Sequence, residues 1–476
     1  MRGVIRFALL MTVVLCALGM LAQENLAGST QTMAVPEATS VATPQAAHVW
    51  VPASSVVRAA DAGLRAHTNI VLFSLDGNKP AGLPYPKAFT TPTGDAMMEA
   101  ETPASLGCLY VGSPSYSGCA PDPDPLTGGP SANGYGAIAI VDAFDNPNAA
   151  TDLTQFDNYW GLQAPANFHK ILATNASIGC GTPAANANWS LESSLDIEWA
   201  HVFAPKAQIV LVEASDNSYT CLMYAEQVAF TYVAAHYSGG HVSNSWGGSE
   251  FSGQFSYDPM FAGYTYSYTK QITGFASTGD NGCGVSYPST NPWVVAVGGT
   301  SVVRDSATSA FSAEACWGGA GGGTSSVETY ATTWNNGAQM GPWANYQYPI
   351  FGKAARAVPD ISFDADPSSG VWVLSQYGAG GWVVVGGTSL SSPAVAGIIN
   401  RTRNMLGGVF LYPIANNNGY FTTEENNFIY SQMAAHNTYV RNFYDVTTGS
   451  NGCTMGAVAY WDYCTGVGSP RGMLGK

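Results

Sequence analysis

The stretch Gly386-Gly387-Thr388-Ser389-Leu390-Ser391-Ser392-Pro393 sets three serine hydroxyls between a glycine pair and a proline, after an apolar run and before AVAGIINRTRNML. That order reads as strand, tight turn and helix start. Hydroxyls at a helix start have two uses. They cap orphan backbone N–H groups, or one of them is a nucleophile where the positive end of the helix dipole favours developing negative charge. A serine nucleophile needs a base, and histidine is the usual one. The seven histidines are His48, His67, His169, His201, His236, His241 and His436, none in an H-G-T-H-type setting. Asp142, at the end of AIAIVD, therefore has no histidine to complete an Asp–His–Ser set, and a standard triad is not expected. Carboxylates are the other source of a base. Glu192 and Asp196 in SLESSLDIEWA are four residues apart, so on a helix they project from one face. Two such carboxyls resist ionising together and share a proton. Leu191, Leu195, Ile197 and Trp199 crowd them with apolar neighbours, against a solvated acidic face. Asp280, in STGDNG, is a third carboxylate, for which a turn role competes with a functional one.

The elements that must hold these residues are legible nearby. AIAIVDAF, AQIVLVEA, GGHVSNSW, QITGFASTGD, NPWVVAVGG and GWVVVGG are short apolar runs, and between them lie helix-length segments such as SLESSLDIEWAHVFAP and TCLMYAEQVAFTYVAAHYSG. Continuous apolar strands alternating with helices imply an α/β fold, a doubly wound, mainly parallel sheet with helices on both faces. Sites in such folds gather outside the carboxyl ends of strands. Asp142, Asp280 and Ser389 fall there.

Composition narrows the partners and the compartment. Only 17 Lys plus Arg stand against 32 Asp plus Glu, a net charge of −15, which disfavours nucleic acid and anionic membranes, because both demand a basic face. Arg2 and Arg6 precede FALLMTVVLCALGMLA, read as an export signal over residues 1–22. No later stretch reads as a membrane anchor. Cys16 leaves with that signal, and the eight remaining cysteines, with no C-x-x-C pair, favour disulfides in an exported chain. Pairing of sequence neighbours is expected: Cys108 with Cys119, Cys180 with Cys221, Cys283 with Cys316, and Cys453 with Cys464.

SLESSLDIEWAHVFAPKAQIVLVEA, SNSWGG, STGDNG and GGTSLSSP, in this order and separation, resemble the sedolisin family, the serine-carboxyl peptidases related to subtilisin that work in acid. The resemblance runs from about residue 137 to 470 and implies a subtilisin-like fold. By position it implies Ser389 as nucleophile, Glu192 as general base, Asp196 as the residue that orients Glu192 and shares its proton, and Asp280 as donor to the oxyanion. The chemistry agrees, since a carboxylate base has an unperturbed pKa near 4 and a carboxyl donates only while protonated. SNSWGG would be the strand edge along which an extended peptide pairs; for Trp246, subsite lining and core packing both stay open. Asp360, Asp364 and Asp366 of PDISFDADP are implied to be structural. FYDVTTGSNG and AVAYWDYCTGVGSPRG resemble the family's calcium site. Asp445 and Asp462 would give carboxylate oxygens and Val446, Val458 and Tyr460 backbone carbonyls to one structural calcium ion, an all-oxygen set that suits a hard cation. Val458 and Tyr460 stand where the family usually has glycine.

The expected protein is a secreted, acid-acting serine-carboxyl endopeptidase, a monomer working on protein or peptide substrates. A tripeptidyl exopeptidase with the same chemistry is the alternative, and a non-catalytic binding protein on a peptidase scaffold is the rival class. The expected organisation is a signal (1–22), a linker (23–47), a short N-terminal region (48–120) as a reduced pro-region or part of the mature protein, and a peptidase domain (121–476).

Overall fold

AIAIVDA, Ala137–Ala143, is buried at every position, as befits the middle of a sheet covered on both faces. A computed structural model describes residues 48–74, 100–112, 119, 134–165, 167–265, 271–305, 307–308, 310–329, 347, 355–405, 424–433 and 435–472. The expected signal and linker lie outside the described residues. Around Ala137–Ala143 an eight-stranded sheet runs in the spatial order Phe311–Cys316, Val294–Arg304, Gln271–Ser277, Gly239–Asn244, Ala137–Ala143, Gln208–Ala214 and Phe168–Ala173, with Ile361–Asp364 also paired to Val294–Arg304. All its pairings are parallel except that of Phe311–Cys316. Helices flank it, so the expected α/β, mainly parallel class is what the chain adopts.

Two helices decide the site. Ala187–Phe203 carries Glu192 and Asp196 and is buried from Trp189 to Phe203; Asn186 caps its start, accepting from the N–H groups of Asn188 and Trp189. Thr388–Met405 carries Ser389 and contains Pro393. A proline has no N–H to give the carbonyl four residues earlier, and here that carbonyl, Ser389 O, accepts instead from Ser245 Oγ at 3.1 Å. The two helices touch at Gly397, where a Cβ would lie 2.8 Å from Phe203 Cβ and 2.9 Å from Ala200 O.

Residues 48–74 belong to the same body. His48–Trp50 and Val71–Ser74 join Gly381–Gly386 and Val371–Ser375 in a four-stranded antiparallel sheet. The helix Pro103–Val111 likewise buries Leu106, Leu109 and Tyr110 in the common core.

Cys108–Cys119 and Cys180–Cys221 form as expected. The other four cysteines do not pair with sequence neighbours: Cys283 joins Cys453 and Cys316 joins Cys464, with Cα separations of 4.8 and 5.9 Å. The cause is the tail, which folds back between these segments. Cys283 N donates to Asn451 O at 2.7 Å and Cys316 N to Thr448 O at 2.8 Å.

Candidate active site

Ser389 is the second residue of its helix, after Thr388 and Gly387, and the φ of +106° at Gly387 is open to glycine. A Cβ there would stand 2.2 Å from Asn69 O and 2.5 Å from Asp280 Oδ2, so the missing side chain lets a peptide carbonyl and a carboxyl oxygen approach one another. Ser389 Oγ donates to Ser245 O at 3.0 Å while Ser245 Oγ donates to Ser389 O, a reciprocal pair that fixes the strand end against the helix. Ser392 Oγ meets Ser243 Oγ at 2.9 Å, and Ser391 Oγ reaches Asp364 O at 3.2 Å. The three hydroxyls therefore differ: two pack into the sheet and one faces the cleft.

Glu192 lies beside the Ser389 hydroxyl and Asp196 beside that of Ser245; both carboxyls are fully buried and neither makes a close hydrogen bond. Burial pushes the Glu192 carboxyl well up, and the negative potentials of Asp196 and Asp142 add to it; the Ser389 hydroxyl offsets part of the rise. Asp196 is raised by burial and by Asp142, with Ser245 in partial offset. Asp142 is thus a third member of the cluster. It is buried at the carboxyl end of its strand, with both oxygens unpartnered, and the absence of a histidine had counted against it. The signal that could have found it was its place at a strand end. Three acids sharing a buried site hold protons far more readily than free carboxyls.

Asp280 accepts from Thr388 N and Thr388 Oγ1, each at 2.8 Å, through Oδ1. Its Oδ2 is buried without a partner. Burial raises its pKa to about 7 against the lowering by Thr388, and its Oδ2 lies against the open face of Gly387.

Trp246 is core. Its ring is buried and Nε1 donates to Val141 O at 2.8 Å. Asp360 pairs with Arg356, Asp364 accepts from Ser369 and Asp366 from Ser368 N, so these acids are structural. His201 is buried against Gln163 O and Asp157, and His241 near Glu425. The expected edge of SNSWGG receives a strand from this same chain: His67 and Thr68 pair antiparallel with Gly247 and Trp246. Asn69 follows, its N–H on Ser245 O and its carbonyl accepting from Ser389 N at 3.0 Å. Sequence reading missed this, since no local pattern ties Asn69 to a residue 320 positions away.

At the tail, Asp445 Oδ1, Tyr460 O and Val467 O all lie 2.9–3.1 Å from the Tyr439 hydroxyl. One phenol proton serves three acceptors; a cation would relieve the surplus, so the oxygens fit one. Asp462 stands close by, its carboxylate accepting from Val458 N, Cys464 N and Thr465. Tyr460 adopts φ +74°, the conformation a glycine would take easily. Val458 turns its N–H, at 3.2 Å, to Asp462, and Val446 is buried. Among the described residues no group of three or more His, Cys, Asp or Glu side chains is disposed to hold a metal ion, so a cation here rests on two carboxylates and backbone oxygens.

A serine at a helix start, buried acids and the parallel sheet agree with a family comparison: the profile of the subtilase family, Peptidase S8, matches residues 132–408. The chain belongs to the subtilase family. Within the subtilases its likeness is to the sedolisins. Kumamolisin of Bacillus sp. (strain MN-32) is 28% identical over 68% of this chain and 56% of its own length. Sedolisin of Pseudomonas sp. (strain 101) is 30% identical over 39% of this chain and 28% of its own. The chain thus spans little more than half of kumamolisin and less of sedolisin. A solved structure of Pseudomonas sedolisin (serine-carboxyl proteinase), complexed with two molecules of pseudo-iodotyrostatin, shares the fold, with a TM-score of 0.59 at 23% identity over 78% of this chain and 95% of that one.

Proposed function

We propose that this subtilase is a secreted serine-carboxyl endopeptidase that works in acid. The observation that carries the reading is the buried carboxyl pair Glu192 and Asp196, with Glu192 against the Ser389 hydroxyl. Ser389 Oγ rotates from Ser245 O, attacks a peptide carbonyl and passes its proton to Glu192, which Asp196 orients and relieves of part of that proton. The developing oxyanion sits between Ser389 N–H and protonated Asp280. Glu192 returns the proton to the leaving amine, and water repeats the sequence on the acyl-enzyme.

An endopeptidase is favoured over a tripeptidyl exopeptidase by one feature of the cleft. Main-chain contacts continue upstream of Asn69 as far as Leu64, whose carbonyl accepts from Tyr219 N. A cleft closed after three residues would not admit that length. Digestion of a long peptide by the purified protein should give internal fragments and none with Ser389→Ala; successive tripeptides would favour the exopeptidase.

Four disulfides suit an oxidising compartment and support secretion; among the described residues no helix is long and apolar enough to cross a membrane. Calcium is the proposed tail ligand, held by Asp445, Asp462 and the Tyr460 carbonyl, where it would neutralise the buried Asp462 and the half-buried Asp445 and tie the tail together. Chelation should lower the melting temperature and added calcium restore it.

A further inference from the structure

Residues 64–70 lie in the cleft as a bound peptide would. Leu64 O accepts from Tyr219 N at 3.1 Å, and Ala66 N donates to Asn217 O at 2.9 Å. Ala66 O accepts from Asn217 Nδ2 at 2.7 Å. On the other side, His67 and Thr68 pair with Gly247 and Trp246. The segment is gripped along both edges by main chain, as an added strand is. Asn69 N reaches Ser245 O at 3.3 Å and Ser389 Oγ at 3.1 Å, while Asn69 O accepts from Ser389 N at 3.0 Å and faces Asp280 Oδ2 across Gly387. A carbonyl that takes the backbone N–H of the nucleophile's own residue occupies the oxyanion position. Downstream, Val71 and Leu72 pair with Gly386 and Val385, so the chain crosses the site without a break.

The side chains distinguish one position. Asn69 is 1% exposed, its Nδ2 donates to Ser277 Oγ at 2.7 Å, and its Oδ1 has no partner and lies near the open face of Gly279. Thr68 instead turns back on its own segment, to Ser54 and Ser55 at 2.8 and 2.7 Å. Ile70 N donates to Ser55 Oγ at 3.3 Å.

We propose that the Asn69–Ile70 peptide bond is a self-cleavage site, and that the pocket beside Ser277 and Gly279 selects asparagine on the carbonyl side of the cut. This rests on the peptidase reading above. Ser389 Oγ bonds to Asn69 C and the bond to Ile70 N breaks. Ile70 N takes the proton that Glu192 received from Ser389 and becomes a new amino terminus. Water then frees Asn69 as a carboxylate and restores Ser389. No disulfide ties residues 48–69 to the rest; Cys16 is the one cysteine upstream of Cys108. Once cut, the upstream piece is held by hydrogen bonds and packing alone, and its departure opens the cleft that it fills. Ile70 onward stays, paired to Gly381–Gly386.

The full chain, purified at neutral pH and shifted to about pH 4, tests this by intact mass and N-terminal sequencing. Denatured protein is offered in parallel. The expected result is a new amino terminus at Ile70 in the wild type and none in Ser389→Ala. Peptides of residues 64–74 with Asn or Phe at position 69, given to the processed enzyme, should differ about tenfold in kcat/KM in favour of Asn, the worth of one buried hydrogen bond, and Ser277→Ala should reduce that ratio. Wild type that digests denatured protein with Asn69–Ile70 intact overturns the self-cleavage site and leaves the peptidase reading standing. Equal rates for the two peptides overturn the asparagine preference. A wild type that cuts neither itself nor the denatured protein overturns the peptidase reading, and the self-cleavage with it.

Discussion

Ser389 acts through its surroundings. Its hydroxyl has no histidine, and the group beside it is a carboxyl held among two others, Asp196 and Asp142, in a buried site. Each added negative neighbour makes Glu192 harder to ionise. Removing one should therefore lower its pKa. Asp142→Asn is expected to move the acid limb of the pH–rate profile to lower pH, measured as kcat/KM; an unmoved limb would separate Asp142 from the cluster's titration. If Asp280 is one of two oxyanion donors, as proposed, Asp280→Ala should lower kcat about 10²–10³-fold, in single-turnover measurements that exclude a change in binding.

The two site helices must approach closely for Glu192 to meet Ser389, and Gly397 is where they do so. Gly397→Val would force a side chain against Phe203 and the Ala200 carbonyl. Overpacking of this kind costs about 1–3 kcal/mol, so thermal unfolding should show a lower melting temperature, with activity falling beyond the loss of folded protein. At this scale the sequence is informative where a feature is local. The apolar runs end in Gly, Ser or Asp because a strand buried on both faces must turn at its end, and Glu192 with Asp196 shows one helix face by spacing alone. Long-range pairings leave no such trace. The contact of Asn69 with Ser389 and the bridges Cys283–Cys453 and Cys316–Cys464 depend on where the terminal segments fold back. Asp142 was readable as a strand-end acid, but its partners lie on a helix fifty residues later.

Among the described residues burial raises many carboxyls above their ordinary range. Burial raises Asp157 and Glu226 to about 8, Asp258 and Asp280 to about 7 and Asp152 to about 6. A carboxyl whose folded pKa exceeds its unfolded value binds more proton in the native state, so its contribution is full below about pH 4 and is lost as pH rises through the folded value. His67 and His201 are both lowered by burial, His201 to about 4, and oppose this only below their unfolded pKa near 6.5. The melting temperature is therefore expected to fall as pH is raised from about 5 to about 8; a rise across that range would contradict the protonation states assigned here. The same acids make the catalytic claim testable. The most direct measurement is hydrolysis of denatured protein by the purified chain from pH 2 to 8, beside Ser389→Ala. The account predicts an optimum in acid, decline as Asp280 ionises near pH 7, and no cleavage by the variant. An optimum at neutral or alkaline pH, or cleavage that survives the loss of Ser389, would contradict it.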